Sequence, residues 1–375
     1  MRLIRIIIYV ALFLWVSLNW IWIAGISSKS ASDDITKWGT ESTDISSPKL
    51  RTLHVIQCLA GNATGFINEW EVNLKSILVY APLDAHMHIH IIADEKAAAA
   101  INNRLDVAEL HTATWRNKLY LTITNVESRM DNWLNILKVF LQSHFDTRIG
   151  IGGYFRLFAH EIILKYISRS DWNDLRTAVY MDTDVVVISG LNSLIEGMDK
   201  VVDNRGRNDN GGFNYPLWTW GGNSGFMTLN LIHFDQFWTL LRLAIARDAE
   251  VGVLNGRWIS DQSLLQLVET YFNHEVGVIP EQWNIHIGHG YQKSPQLLYD
   301  RKVDAGILHF TGIDTGDSYF SDEGIIKFCH CGKGCQGDAE NDRDKIDRSW
   351  GRADHYVKLP WHWVKYQGGA YIFLY

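Results

Sequence analysis

Cysteine is scarce. Four in 375 residues exclude a scaffold held together by disulfides. Long basic runs are absent, and 35 basic against 42 acidic residues leave a net charge of −7, which disfavours a general nucleic-acid or polyanion binder. Charged residues are only 21% while hydrophobic ones reach 47%, so the chain is not mainly disordered. No internal repeat and no long low-complexity tract interrupts the body. The length allows two domains, or one large α/β domain with additions.

One hydrophobic run stands apart. Arg2 and Arg5 precede residues 6–26 (IIIYVALFLWVSLNWIWIAGI), 21 uncharged positions that at ~1.5 Å each reach across a ~30 Å hydrocarbon core. The competing reading is a signal peptide cut after Ala24-Gly25. Signal h-regions run ~7–15 residues, and this stretch is longer and carries three tryptophans, which favours an uncleaved anchor. The positive flank is N-terminal, so the expected layout is a cytosolic tail (1–5), a transmembrane helix (6–26) and a translocated remainder, a type II topology. Residues 27–50, rich in Ser, Thr and Asp, read as a flexible stalk. A lumenal body follows from 51. Golgi or ER resident enzymes share this layout with receptors and adhesion proteins, so topology alone does not choose.

The body alternates strands and helices. LHVIQCLAG (53–61), HMHIHIIAD (86–94), KLYLTITNV (118–126), NSGFMTLNL (223–231) and AGILHFTG (305–312) read as strands. Helical spacing runs through 66–80, stopped by Pro82, and through AAAAINNRL, GYFRLFAHEIILKYI (153–167), HFDQFWTLLRLAIA and DQSLLQLVETYF. This order predicts an α/β fold with a mainly parallel, Rossmann-like sheet flanked by helices. Ligands of such sheets bind at the carboxyl ends of the strands.

At one such end, Ala178 to Met181 run into Asp182-Thr183-Asp184, followed by Val185 to Ile188. Two carboxylates two residues apart between apolar flanks are costly unless compensated. A hard divalent ion, Mg²⁺ or Mn²⁺, is the natural partner, and such ions bridge carboxylates to substrate phosphates. The bland alternative is a surface turn with two solvated aspartates.

This segment resembles the DxD motif of GT-A glycosyltransferases. The chain resembles glycosyltransferase family 8, most closely the branch of glucoside xylosyltransferases and LARGE-type xylosyltransferase domains. The matching stretches are VIQCLAGN, LKSIL (74–78), IHIIAD (89–94), YFRLFAHEII (154–163), YMDTDVVV (180–187), NSGFMTLNL, DQSLLQ (261–266), IPEQWN (279–284) and LHFTG (308–312). DxD alone is weak; DxD, NSG, DQ and H-x-x-G in that order are specific. The resemblance implies a GT-A domain over 51–320 and a C-terminal extension over 321–375. It implies Mn²⁺ (or Mg²⁺) held by Asp182, Asp184 and His309, and a UDP-sugar donor contacted by Ala60, Gly61, Asn62, Thr183 and the Gly312 backbone. It further implies that Arg156 faces the donor and that Asn223, Ser224, Gly225, Asp261 and Gln262 line its sugar. The expected activity is retaining transfer of xylose or glucose to a glycan or glycoprotein. Where the family often shows H-x-x-G-x-x-K-P-W, His309-Phe-Thr-Gly312 is followed by no such lysine, leaving the diphosphate to the metal, Arg156 or a later residue such as Lys327.

Other features carry less. His86, His88 and His90 share a strand face at a spacing that can hold zinc, but no further ligand is indicated and hydrogen bonding is the expected role. Asn62-Ala63-Thr64 is a glycosylation sequon inside the nucleotide loop and is expected to stay unmodified. Cys329, Cys331 and Cys335 have no assignable pairing. The acidic stretch 338–348 reads as solvated. Sixteen tryptophans offer flat apolar surface that suits sugars, although core packing is their commoner use. Trp218 and Trp220, in the Gly- and Asn-rich stretch 204–222, are candidates for stacking on an acceptor sugar, and the aromatic closing segment is expected to pack on the body. Two rival functions remain: a haloacid-dehalogenase-type phosphatase, whose D-x-D strand comes first in its domain, and a non-catalytic sugar-binding protein on the same fold.

Overall fold

The apolar strands of the body assemble into one large sheet. The computed structural model describes residues 35–38, 52–81, 85–108, 119–141, 151–166, 177–191, 194, 216–220, 223–231, 233–251, 260–279, 281–288, 306–311, 364–365 and 371–372. The run 6–26, Gly312, Lys327, the cysteines at 329, 331 and 335 and the acidic stretch lie outside these. Among the described residues, no helix is long and apolar enough to cross a membrane.

The elements in chain order are β1 (Ile35–Trp38), β2 (Thr52–Leu59), α1 (Thr64–Val79), β3 (His86–Ala93), α2 (Glu95–Ala108), β4 (Leu119–Asn125) and α3 (Glu127–Leu141). A 3-10 helix (Gly152–Phe158) continues as α4 (Ala159–Tyr166), then come β5 (Thr177–Met181), β6 (Val185–Val187), β7 (Trp218–Trp220) and β8 (Phe226–Asn230). The helices α5 (Gln236–Val251) and α6 (Asp261–Tyr271) precede β9 (Val276–Val278), β10 (Ile285–Gly288) and β11 (Ile307–Thr311). Eight strands form the main sheet in the order β1-β4-β3-β2-β5-β8-β7-β9, and β10-β11-β6 form a smaller one.

The expected parallel run is found at the centre of the sheet, with one further parallel pair, β7 and β9, at the edge. β4, β3, β2 and β5 run parallel, whereas β1, β8 and β7 introduce antiparallel pairs. The sheet is mixed. The reversal at β8 has a structural consequence: Phe226 pairs with Met181, so the start of β8 meets the end of β5. The Asn223–Gly225 turn is thereby delivered beside the DxD motif. β1 falls within the segment read as a stalk and pairs with β4 at the sheet edge.

Both faces of the central strands are covered, as buried runs without polar alternation require. Leu53, Val55 and Leu59 of β2 pack with Trp70, Leu74 and Ile77 of α1 and Ile101 and Leu105 of α2. Ile56 faces the other way, with Trp133 of α3, the 3-10 and α4 residues, Phe237 and Leu241 of α5, and Leu264 and Val268 of α6. The half of 153–167 expected to begin an α-helix is wound as 3-10, with Tyr154, Phe155, Leu157 and Phe158 all fully buried.

Trp218 and Trp220 do not line a surface. They occupy β7 at 0% and 1% exposure, and Trp218 packs edge-on against Phe234 and Phe237. Their role is core packing, and Trp218→Ala should cost stability by roughly 3–5 kcal/mol. Within the closing segment, Val364–Lys365 and Tyr371–Ile372 form a short antiparallel pair, the first strand lying against α1.

Candidate active site

Asp182, Thr183 and Asp184 form the turn by which the chain leaves the main sheet at β5 and enters the small one at β6. Helix α1 braces that turn. Asn73 Nδ2 donates to the carbonyls of Val185 (2.7 Å) and Asp182 (3.3 Å), and the Val187 amide donates to Ser76 Oγ (3.0 Å). Asn73 is itself held by Gln57 Nε2, whose Oε1 accepts from Trp70 Nε1 at 3.1 Å. Polar side chains buried in an apolar interface are thus fully used in aiming one turn.

The antiparallel pairing of β11 with β6 sets His309 opposite Val185, next to Asp184 in the chain. His309 Nε2 lies 3.3 Å from Asp184 Oδ1, while Nδ1 bonds to Asn284 Oδ1 at 3.0 Å. An amide oxygen accepts only, so His309 Nδ1 donates to it and Nε2 is the ring nitrogen turned toward the carboxylate. One ligand atom each from Asp182, Asp184 and His309 converge within 4.8 Å of one another. Among the described residues, Asp184 Oδ1 is buried without a hydrogen-bond donor. Burial raises the Asp184 carboxyl above its usual range against the pull of His309. Gly225 keeps the space open, because a Cβ there would sit 2.0 Å from His309 Cε1 and 2.9 Å from Asp182 Oδ2. Two carboxylates and an imidazole around such a gap fit a divalent cation.

Arg156, brought by the 3-10 helix, closes the other side. Its Nη2 lies 3.0 Å from Asp182 Oδ1, Nη1 donates to Asp182 Oδ2 (3.3 Å) and to the Ser224 carbonyl, and Nε faces Asp261 Oδ2 at 3.2 Å. The guanidinium carbon also sits 4.4 Å over the Tyr180 ring, and the Tyr180 hydroxyl donates to Asp182 Oδ1. Burial alone would weaken the arginine's charge, but Asp182 and Asp261 outweigh it and hold the proton more firmly than usual. Burial raises Asp261, with Arg156 opposing. Asp261 opens α6 behind the cap Ser260, whose Oγ accepts from the Ser263 amide at 3.2 Å.

The remaining expected residues gather around this core. Asn223 Oδ1 accepts from the Gly225 amide (2.7 Å) and its Nδ2 points to Gln262 Oε1 at 3.4 Å. Ser224 is buried and Thr183 half-buried. Gly61 adopts φ +80°, which favours glycine, and its amide donates to Asp94 Oδ2 at 2.7 Å. Asp94 also caps α2 through the Ala97 amide (2.7 Å), so the Ala60-Gly61-Asn62 loop is fixed to a helix end, with Asn62 exposed. Cys58 lies close by, but burial pushes its thiol up, which leaves it a poor nucleophile. Asn73, Tyr180, Asn284 and Asp94 were not among the expected site residues. A polar Asn73 within the apolar stripe of α1 is the trace they leave in the sequence.

Solved structures share this architecture. Mouse xyloside xylosyltransferase 1, in its apo form, matches with a TM-score of 0.50 at 12% identity, over 69% of this chain and 98% of that one. The fold is GT-A. The galactosyltransferase LgtC, in complex with donor and acceptor sugar analogs, matches at a TM-score of 0.43 and 16% identity, over 79% of this chain and 96% of its own. The glycosyltransferase GlyE of Streptococcus pneumoniae TIGR4 matches at 0.46 and 15%, over 83% of this chain and 61% of its own. No protein-family model and no curated protein matches the chain. At 12% identity the likeness to the xylosyltransferase is one of fold.

Proposed function

We propose that the protein is a metal-dependent retaining glycosyltransferase that moves xylose or glucose from a UDP-sugar to a glycan or glycoprotein acceptor. The observation that carries this is the convergence of Asp182, Asp184 and His309 at the carboxyl ends of a GT-A sheet, against Arg156 and Asp261. A cation bound there would neutralise the charge that develops on a diphosphate leaving group. The chain's own residues do the positioning. Arg156 holds two carboxylates at fixed spacing, and its reach toward a donor phosphate requires one of those pairs to open. The Asn223–Gly225 turn, Asp261 and Gln262 form the wall against which a donor sugar would lie. Retention has two routes: double displacement, for which Asp261 is the available carboxylate, and same-face attack, in which the leaving phosphate takes the acceptor's proton.

The phosphatase reading fits less well. Its nucleophile would be Asp182, yet Oδ1 is engaged by Tyr180 and Arg156 and Oδ2 by Arg156. The apolar run 6–26 behind Arg2 and Arg5 supports a single-pass type II protein whose body is lumenal, in the Golgi or ER.

The test uses the full chain in detergent, stripped with chelator and assayed for UDP release from a panel of UDP-sugars with and without Mn²⁺. Metal-dependent release from one donor is expected. Binding of metal and nucleotide without release, even with candidate acceptors added, would support the non-catalytic sugar-binding reading. Uptake of neither overturns the proposal.

A further inference from the structure

The amino end of the same sheet carries a cluster of imidazoles for which glycosyl transfer has no use. His54 on β2 pairs with His88 on β3 in parallel register, and His90 follows two positions later. All three side chains therefore leave the sheet on one face. Along the same face stand Ile56, Ile92, Ala178 and Tyr180, with Tyr120 and Thr122 of β4 beside His88 and His90. His54 and His90 are 4% and 3% exposed.

We propose that His54, His88 and His90 form a zinc site that ties β2 to β3. One nitrogen from each ring lies within 4.8 Å of the others, and His54 Nδ1 is 2.9 Å from His90 Nε2. Zinc–imidazole bonds of ~2.0–2.1 Å in a tetrahedron set ligand nitrogens roughly 3.3 Å apart. The cluster therefore needs movements on the order of an ångström to close on an ion. His88 and His90 stack with ring centroids 3.8 Å apart, and His88 Nε2 bonds to Thr122 Oγ1 at 2.7 Å. A hydrogen bond of this kind fixes the ring of a ligating histidine.

The donor set selects the metal. Three imidazoles without a carboxylate suit zinc and are poor hosts for Mg²⁺ or Mn²⁺, the reverse of the set at the other end of the strands. Three histidines are also a zinc-binding combination that leaves a fourth position for water, and half-buried His88 provides the approach. The three histidines considered from the sequence were His86, His88 and His90; the fold brings in His54 from the neighbouring strand.

The test starts from the full chain carrying Asp184→Asn, which removes the carboxylate site. After equilibration with zinc and dialysis, metal content is read by mass spectrometry, and a cobalt-loaded sample gives the ligand field. One zinc per chain is expected, with tetrahedral cobalt bands that lack thiolate charge transfer. Adding His88→Gln should remove the metal and abolish the rise in Tm that zinc gives the parent. No retained zinc, zinc retained equally by the His88→Gln chain, or cobalt bands of thiolate type would each overturn the proposal. Should His88→Gln fail to fold, the cobalt spectrum of the parent decides between the same outcomes.

Discussion

At the carboxyl ends of the central strands the working side chains are mostly anionic, on the turn after β5 and the first turn of α6. At the amino ends they are imidazoles standing inside paired strands. Asp182 and Asp261 share one Arg156 while Asp184 lies against His309, a surplus of carboxylates that a bound cation would balance. His54, His88 and His90 are held by ring stacking and hydrogen bonds. The first arrangement is costly without a ligand and so points to one; the second is tolerable without one and gains from it. Position in the sheet accounts for the difference, because a turn can re-aim a side chain while a strand fixes it by register.

Asp184→Asn is the strongest way to break this contrast. Removing one anionic ligand should lower transfer by ~10²–10³-fold or more while circular dichroism stays unchanged. Retained activity would sink the metal reading of the carboxylate end. Asn73→Ala attacks the same end from behind. It strips donors from the carbonyls of Val185 and Asp182, and should cost roughly 2–5 kcal/mol in denaturant unfolding. Wild-type stability would mean that the small sheet alone aims the turn.

The contrast also explains what the sequence disclosed. Asp182, Asp184, Asn223, Asp261 and His309 could be singled out as candidates because each stands in a short pattern whose chemistry is local. Asn73 was not, since its bonds reach residues more than a hundred positions away. The mixed sheet was hidden for a similar reason: an apolar run such as Phe226–Asn230 reads the same in either direction. Trp218 and Trp220 were misread because Gly- and Asn-rich neighbours suggest a loop, whereas three residues of strand suffice to bury both indoles. His54 looked like an ordinary strand residue until β3 was set beside it.

A lone histidine sharpens the imidazole half of the comparison. His160 is 5% exposed, its Nδ1 has no hydrogen-bond partner among the described residues, and burial pushes its pKa down to about 4. Between pH 6.5 and 4 the unfolded chain takes up a proton that the folded chain refuses, so stability falls as pH drops through that window. The expected loss from this residue is roughly 3 kcal/mol. His160→Phe should flatten the dependence by that amount, and an unchanged pH profile would show that the folded protein admits the proton at little cost.

The smallest effect tests whether the carboxylate end depends on its outer contacts as the imidazole end does. Asn284 touches no expected substrate. It accepts from His309 Nδ1 at 3.0 Å and so turns Nε2 toward Asp184. Asn284→Ala frees the ring to rotate or change tautomer, and outer partners of ligating histidines typically contribute ~10–100-fold in metal affinity. The expected result is that much loss in Mn²⁺ affinity with turnover recovered at saturating metal, a split that a purely structural defect would not give. Asn284→Asp should restore the hydrogen bond and with it the affinity. If Asn284→Ala binds metal as tightly as the wild type, the register of β11 alone orients His309, and both ends of the sheet are governed by strand pairing.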